Sequence, residues 1–434
     1  MKKRIKILFT GLQYLKHNYG AQGIAFPLME KMNKQINADY TFVLDQQHQN
    51  EKASFSKKYV FNVINKPKLA AIFGSYYSLI NFLYRFLKRG TLSKNEKKRV
   101  LVLNNILREI DVVIDLSGIE FVGNNSIKKR YLDYLGTISM QWLAEKNNKL
   151  YLKYTKSYGP FPKRDIIYNF LVKKQLDKLP FLFIRGKKNL DEVKKLNIKS
   201  QLYSVPDISL SFKAEKKSWA VNYIKKLGVN TNNKVGGLSP SAVIAGLNAS
   251  KNSSSCGEDH VKLCEKVINF YLSNNQQVLL IPHSVVNRKN IMTCDLSLTM
   301  KIYDKIKDRS NVFLIDDIDL TYAQVRAIIG LLDFYITGRY HSISSALFMG
   351  IPVVSFSWHI KYKDIVSLFL EDAPVINCIT NNVDQSLELI KKYYFNRQWF
   401  DKKRVIERKK KIEYEIDESV NILINEINRS LEKK

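Results

Sequence analysis

The stretch 333-DFYITGRYHSISSALFMGIPVVSFS-357 decides the fold. A short apolar run ends at Gly338. A segment with helical spacing follows, closed by Gly350 and Pro352, and a second apolar run begins at once. Both runs are apolar throughout, so both are strands covered on two faces, as in a parallel sheet between layers of helix. Ser342 is the expected N-cap of a helix over 343–349, and Gly350 its C-cap. Arg339 and His341 then fall between the carboxyl end of a strand and a helix N-terminus. Open α/β sheets bind ligands there, and unpaired N–H groups face an anion. Arginine adds a planar fork matched to phosphate or carboxylate, and histidine can donate a proton near neutral pH. The competing structural reading makes Arg339 a carbonyl cap and His341 a satisfied core imidazole. The Arg-x-His spacing at a strand end favours function.

The same rhythm extends in both directions. Apolar runs at 5–10, 41–45, 112–116, 150–155, 181–185, 201–205, 234–240, 277–283 and 311–316 read as further strands. Helix-length segments such as 261–275 and 319–332 lie between them. At 434 residues and 45% hydrophobic, the chain can fill two cores of roughly 200 residues each. The expected fold class is α/β, with two Rossmann-like domains facing a cleft. The charged stretch 213-KAEKKSWAVNYIKK-226 follows 206-PDISLSF-212 and precedes a fresh strand, which predicts domains over 1–212 and 213–434. The last helix, from about Arg404, is expected to cross back to the first domain.

Other polar residues occupy the same topological position as Arg339. Arg185 and His283 end strands, and Lys156 with Ser157 follows another. Asn18 and Gly20 lie in the loop after the first strand; Asp115, Ser117, Gly118 and Glu120 lie at the end of the strand over 112–116.

Lys+Arg 70 against Asp+Glu 40 leaves a net charge of +30, which favours a polyanionic partner: a phosphorylated substrate, an anionic membrane surface or nucleic acid. No helix-turn-helix, RNA-recognition or zinc-finger signature is present, so nucleic acid is not an expected partner. The basic aromatic segment over 70–99 is too interrupted by polar residues to span a bilayer. It fits either an interfacial amphipathic helix or an ordinary helix buried between sheets. The residues from Met1 to Gly11 read as a buried strand rather than a signal peptide. Cys256, Cys264, Cys294 and Cys378 have neither metal-ligand nor disulfide spacing, which points to a reducing, cytoplasmic setting, with the inner membrane face as a further candidate surface. Phosphate-loop, dinucleotide, zincin and nucleophile-elbow motifs are all missing, so neither a metal nor a cofactor is expected.

The ordered set 18-NYG-20, 111-DVVIDLSGIEF-121, 155-TKSYGPF-161, 181-FLFIRG-186, 205-VPD-207, 281-IPH-283 and 338-GRYHSISSALFMGIPVVSFSW-358 resembles the polysaccharide pyruvyl transferase family. That resemblance implies a GT-B-like fold, with the N-terminal domain on the acceptor side. It implies transfer of pyruvate from phosphoenolpyruvate to a sugar, usually as a cyclic ketal, in cell-surface or exopolysaccharide synthesis. The acceptor would be lipid-linked or nucleotide-activated. Arg339 and His341 fall on positions that contact phosphoenolpyruvate, with Arg185 a second anion clamp and His283 a matching motif. His341 is the candidate acid, and Asp115 or Glu120 the candidate base. Lys156, Ser157, Asn18, Gly20 and Ser342 complete the expected substrate-binding set. The chain departs from many relatives at Ala21, where they carry Asp, and at Lys156, where Gln is expected. The alternative function is a GT-B nucleotide-sugar glycosyltransferase, with Asp364, Glu371 or Asp372 as its ribose-binding carboxylate.

Overall fold

The computed structural model describes residues 4–44, 55, 58–69, 72, 94–123, 126–251, 258–285, 294–359, 361–371, 374–378 and 380–433. Its strands are β1 (Ile5–Leu12), β2 (Ala38–Leu44), β3 (Asn62–Asn65), β4 (Val112–Asp115), β5 (Ile119–Glu120), β6 (Leu150–Lys153), β7 (Ser157–Tyr158), β8 (Phe181–Arg185), β9 (Gln201–Val205), β10 (Val235–Ser239), β11 (Gln277–Leu280), β12 (Val312–Leu314), β13 (Phe334–Thr337), β14 (Val353–Ser357) and β15 (Val375–Asn377). The chain forms two compact units. One comprises 1–16, 28–207 and 415–434, and the other 17–27 and 208–414. The division is therefore discontinuous, unlike the single break after residue 212 expected from composition.

In the first unit the sheet order is β3-β2-β1-β4-β6, with every neighbouring pair parallel. The chain winds outward from β1 to β2 and β3, then returns to the other side of β1 for β4 and β6. The switch point lies between β1 and β4. A separate parallel pair, β8-β9, meets the segment after β6 through a Lys156–Ile184 bridge. Buried Leu8, Val113, Leu143, Tyr158 and Leu182 belong to this unit's core.

The second unit repeats the plan, with order β12-β11-β10-β13-β14-β15, all parallel. Its switch point lies between β10 and β13, the strand that leads into Arg339. Leu238, Val278, Ile336 and Val354 are wholly buried in its core. Strands buried on both faces carry no alternation, which is why these runs read as continuous hydrophobic sequence.

Four short strands went unpredicted: β3, β5, β7 and β15. β3 and β15 are sheet edges, where a strand needs one neighbour and little apolar character. The first helix of the second unit's site, Tyr19–Met32, opens on Asn18, whose side chain accepts the Ala21 N–H at 3.2 Å.

The helix after β13 runs Tyr340–Met349, starting three residues before the expected 343. Arg339 is its N-cap position, not Ser342. The Thr337 hydroxyl accepts the Arg339 N–H at 3.1 Å, and the Arg339 carbonyl already accepts the Ile343 N–H at 3.1 Å. Those two bonds commit the backbone to helix before Ser342, which is buried inside the first turn. Gly350 closes the helix as expected, at φ 72°. Of the 70–99 segment, 94–99 begin the helix Lys94–Glu109, and most of the remainder lies outside the described residues. Cys256 and Asp372 also lie outside them. No helix of the described residues is long and apolar enough to cross a membrane.

Candidate functional site

The predicted site residues assemble in two groups, one in each unit. In the second unit, an antiparallel bridge joins Asn18 to Ser284, and the Val285 N–H donates to the His17 carbonyl at 3.2 Å. This bridge lays Asn18 and the start of the helix Tyr19–Met32 against His283. The approach to His341 is closer still. A Cβ on Gly20 would stand 2.6 Å from His341 Nδ1, so only glycine leaves the imidazole its place.

Arg339 is anchored by a residue that sequence reasoning missed. Its guanidinium pairs with Asp295, a carboxylate with no exposed surface, while the arginine side chain remains 20% exposed. Asp295 Oδ1 also accepts the Ala242 N–H at 2.9 Å, and Oδ2 accepts the Ser284 N–H at 2.9 Å. One buried anion therefore ties the helix after β10, the loop after β11 and the arginine after β13 together. Its signal was weak: Asp295 opens a helix, where an acidic residue is commonplace.

His283 is buried, and neither ring nitrogen finds a hydrogen-bond partner among the described residues. Tyr19 and Tyr322 meet its ring edge-on, with centroids at 5.3 and 5.9 Å. Burial above all, then the charges of His341, Arg339 and Arg326, hold its pKa well below the usual 6.5. It is therefore a neutral imidazole near pH 7, able to donate from one nitrogen and accept at the other.

The scaffold beneath is tied by Arg326, a fully buried arginine. It donates to the Ser209 carbonyl at 2.7 Å and to the Tyr322 hydroxyl at 2.9 Å, and also to the Phe212 carbonyl. Tyr322 in turn donates to the His341 carbonyl at 3.0 Å, and its own N–H is held by Gln22 Oε1 at 2.8 Å. These bonds fix the main chain of His341 while its ring faces Gly20.

In the first unit, Asp115, Glu120, Lys153 and Lys156 form a buried charge quartet at the β1/β4 switch point. Lys156 Nζ lies 2.6 Å from Asp115 and 2.9 Å from Glu120; Lys153 Nζ lies 2.6 Å from Glu120. Ser117 donates to Glu120 at 2.7 Å, and the Tyr151 hydroxyl to Asp115 at 2.7 Å. Burial alone would raise the Asp115 pKa, but Lys156 and Lys153 outweigh it and hold the carboxyl far below its ordinary value. The same two lysines hold Glu120, so both carboxylates lie in one buried ion cluster. Lys156 is likewise wholly buried between carboxylates rather than presented to a substrate. Arg185 pairs with the buried Asp207 at 2.8 Å, and Ser157 belongs to β7. Arg185 and Lys156 belong to the first unit, and Arg339 to the second.

A cavity of about 490 Å³ opens beside this quartet, with Asp115, Ser117 and Glu120 in its wall together with Thr10, Asp133 and Thr137. The Thr10 hydroxyl is buried and has no partner among the described residues. Gly11, at φ 84°, is required here, because a Cβ would stand 2.1 Å from Asp115 Oδ1. No group of three or more His, Cys, Asp or Glu side chains able to hold a metal occurs among the described residues. Of the carboxylates considered for ribose, Glu371 pairs with Arg404 at 2.5 Å, and Asp364 is buried within the helix Lys361–Ser367.

A family model described as polysaccharide pyruvyl transferase matches residues 18–360. Comparison with curated protein sequences finds no match. Among solved structures, the chain is similar to a UDP-GlcNAc 2-epimerase from Neisseria meningitidis, at 10% identity and TM-score 0.58, over 98% of this chain and 100% of that one. It is also similar to a putative UDP-N-acetylglucosamine 2-epimerase from Listeria monocytogenes, at 11% identity and TM-score 0.55, over 100% and 98%. A glycosyltransferase from Rickettsia africae aligns at 10% identity and TM-score 0.55, over 100% of both chains. These likenesses show the fold, two Rossmann-like domains of the GT-B type.

Proposed function

Because the chain belongs to the polysaccharide pyruvyl transferase family, we propose that it transfers pyruvate from phosphoenolpyruvate to a sugar, closing a cyclic ketal and releasing phosphate. The observation that carries this reading is the group after β13 and β11. The partly exposed Arg339 side chain, paired with Asp295, stands with a neutral His283, whose ring nitrogens have no partner among the described residues, and with His341. Phosphoenolpyruvate carries a phosphate and a carboxylate, and an arginine fork and an imidazole N–H suit such oxygens.

In this reaction an acid protonates the methylene carbon, and positive charge develops at C2. His341 is the proposed acid. A sugar hydroxyl attacks C2, phosphate leaves with the electrons of the C–O bond, and a second hydroxyl closes the ring. Arg339 offsets the charge that collects on the departing phosphate. His283 is proposed to orient the carboxylate as a neutral donor. The acceptor sugar is proposed to enter the cavity of the first unit, whose volume suits a small ligand and whose wall offers hydroxyls and carboxylates. Asp115 or Glu120 is the proposed proton acceptor there.

Ligand-dependent thermal stabilisation tests the donor. Phosphoenolpyruvate at a hundred times its Kd should stabilise the native chain by about 2.7 kcal/mol, and Arg339→Ala should abolish the shift. Absence of any shift in the native chain would overturn the donor assignment. Release of a nucleoside diphosphate from a sugar nucleotide, without phosphate release from phosphoenolpyruvate, would favour the glycosyltransferase reading instead.

A further inference from the structure

Two helices of the first unit, Ile127–Lys146 and Ile166–Leu176, carry large apolar side chains on the surface. On the first, Ile127 is 67% exposed, Leu132 50% and Leu135 38%; on the second, Ile166 is 79% exposed, Ile167 68% and Phe170 61%. Single exposed apolar residues need no explanation, but six on adjacent helices do.

The two helices are held as one surface. Arg130, buried on the first, pairs with Asp165, the N-cap of the second, and the Tyr131 hydroxyl donates to the same carboxylate at 3.1 Å. Tyr168 meets the rings of both Tyr131 and Tyr134, at 5.8 and 6.0 Å. The six apolar side chains are therefore carried on a joined pair of helices and not on a loop. Exposed cations border them: Lys128 and Lys129 on the first helix, Lys163 and Arg164 immediately before the second.

An apolar face rimmed by cations matches the interface of an anionic bilayer, where side chains enter the headgroup region and lysines meet lipid phosphates. We propose that this helix pair docks the protein on an anionic membrane surface. Leu132 and Val122, the latter 42% exposed, also line the cavity beside Asp115, so docking brings that cavity's rim to headgroup level. The proposal stands independently of the reaction assigned above.

The test is co-sedimentation of the full chain with vesicles of phosphatidylcholine alone or with phosphatidylglycerol, at low and high salt. Preferential, salt-sensitive binding to the anionic vesicles is expected. The triple variant Ile166→Glu/Ile167→Glu/Phe170→Glu should lose most of it. The variant Lys128→Glu/Lys129→Glu/Lys163→Glu/Arg164→Glu should weaken binding by about fivefold or more per cation. All seven positions are exposed, and unchanged thermal midpoints would verify that both variants fold. Native-like vesicle binding by both variants overturns the proposal. So does a native chain that ignores vesicles but self-associates in a manner the triple variant loses, which assigns the face to a second copy. Phosphate release with a water-soluble acceptor reads the reaction separately from docking.

Discussion

Asp295 and Arg339, separated by 44 positions in sequence, form an ion pair with the carboxylate fully buried and the arginine side chain partly exposed. Two backbone N–H groups hold the carboxylate, so the pair aims the arginine rather than merely neutralising it. Asp295→Asn keeps the shape but weakens the aim. Apparent affinity for phosphoenolpyruvate is expected to fall about tenfold, the cost of one charge-assisted bond. Arg339→Lys should not restore native binding, because an ammonium lacks the fork. Thermal titrations of both variants with phosphoenolpyruvate measure this, and a native-like shift in Asp295→Asn would refute the positioning role.

Gly20→Ala tests the approach to His341 directly. The added methyl would stand 2.6 Å from Nδ1 and 2.9 Å from Cε1, so the imidazole must move. Displacement of a catalytic group by about 1 Å costs on the order of 10²-fold in rate. The variant is expected to fold normally and to release phosphate about 10²-fold more slowly. Native turnover would remove His341 from the chemistry.

The reach of the sequence is visible in these two cases. The strand runs, the parallel sheets and the positions of Arg339, His341, His283, Asn18 and Gly20 could all be read, because buried strands are continuously apolar and their carboxyl ends carry the exceptions. Asp295 could not, since an acidic residue opening a helix looks like an ordinary dipole partner. The helix start was placed too late for a similar reason. Ser342 resembled a cap, whereas the Thr337 side chain had already turned the backbone. The fate of Lys156 was hidden because charge balance inside a core depends on which carboxylates the fold delivers to it.

Lys156 has a measurable structural weight. It is wholly buried between Asp115 and Glu120, and removing it leaves one of two carboxylates without its nearest cation. Breaking a buried pair by deleting one partner costs about 3–5 kcal/mol. Lys156→Met is expected to lower the free energy of denaturant unfolding by that amount at pH 7. An unchanged midpoint would show that Lys153 alone balances the quartet.

His260 sets an acid limit on the second unit. Its ring is buried beneath the helix after β10, and its Nε2 accepts the Ser241 N–H at 3.0 Å. Burial, with a smaller contribution from Arg339, lowers its pKa from 6.5 to about 4. A base whose folded pKa is depressed stabilises the fold fully above its unfolded pKa, and this contribution is lost as pH falls toward the folded value. The window is therefore pH 6.5 to about 4, and the loss across it about 3 kcal/mol. His283, shifted in the same direction, steepens the decline. Unfolding measured at pH 7.5 and pH 5 should show the drop, and His260→Gln, which keeps an acceptor without a titrating ring, should flatten it. An equally steep profile in that variant would assign the acid sensitivity elsewhere.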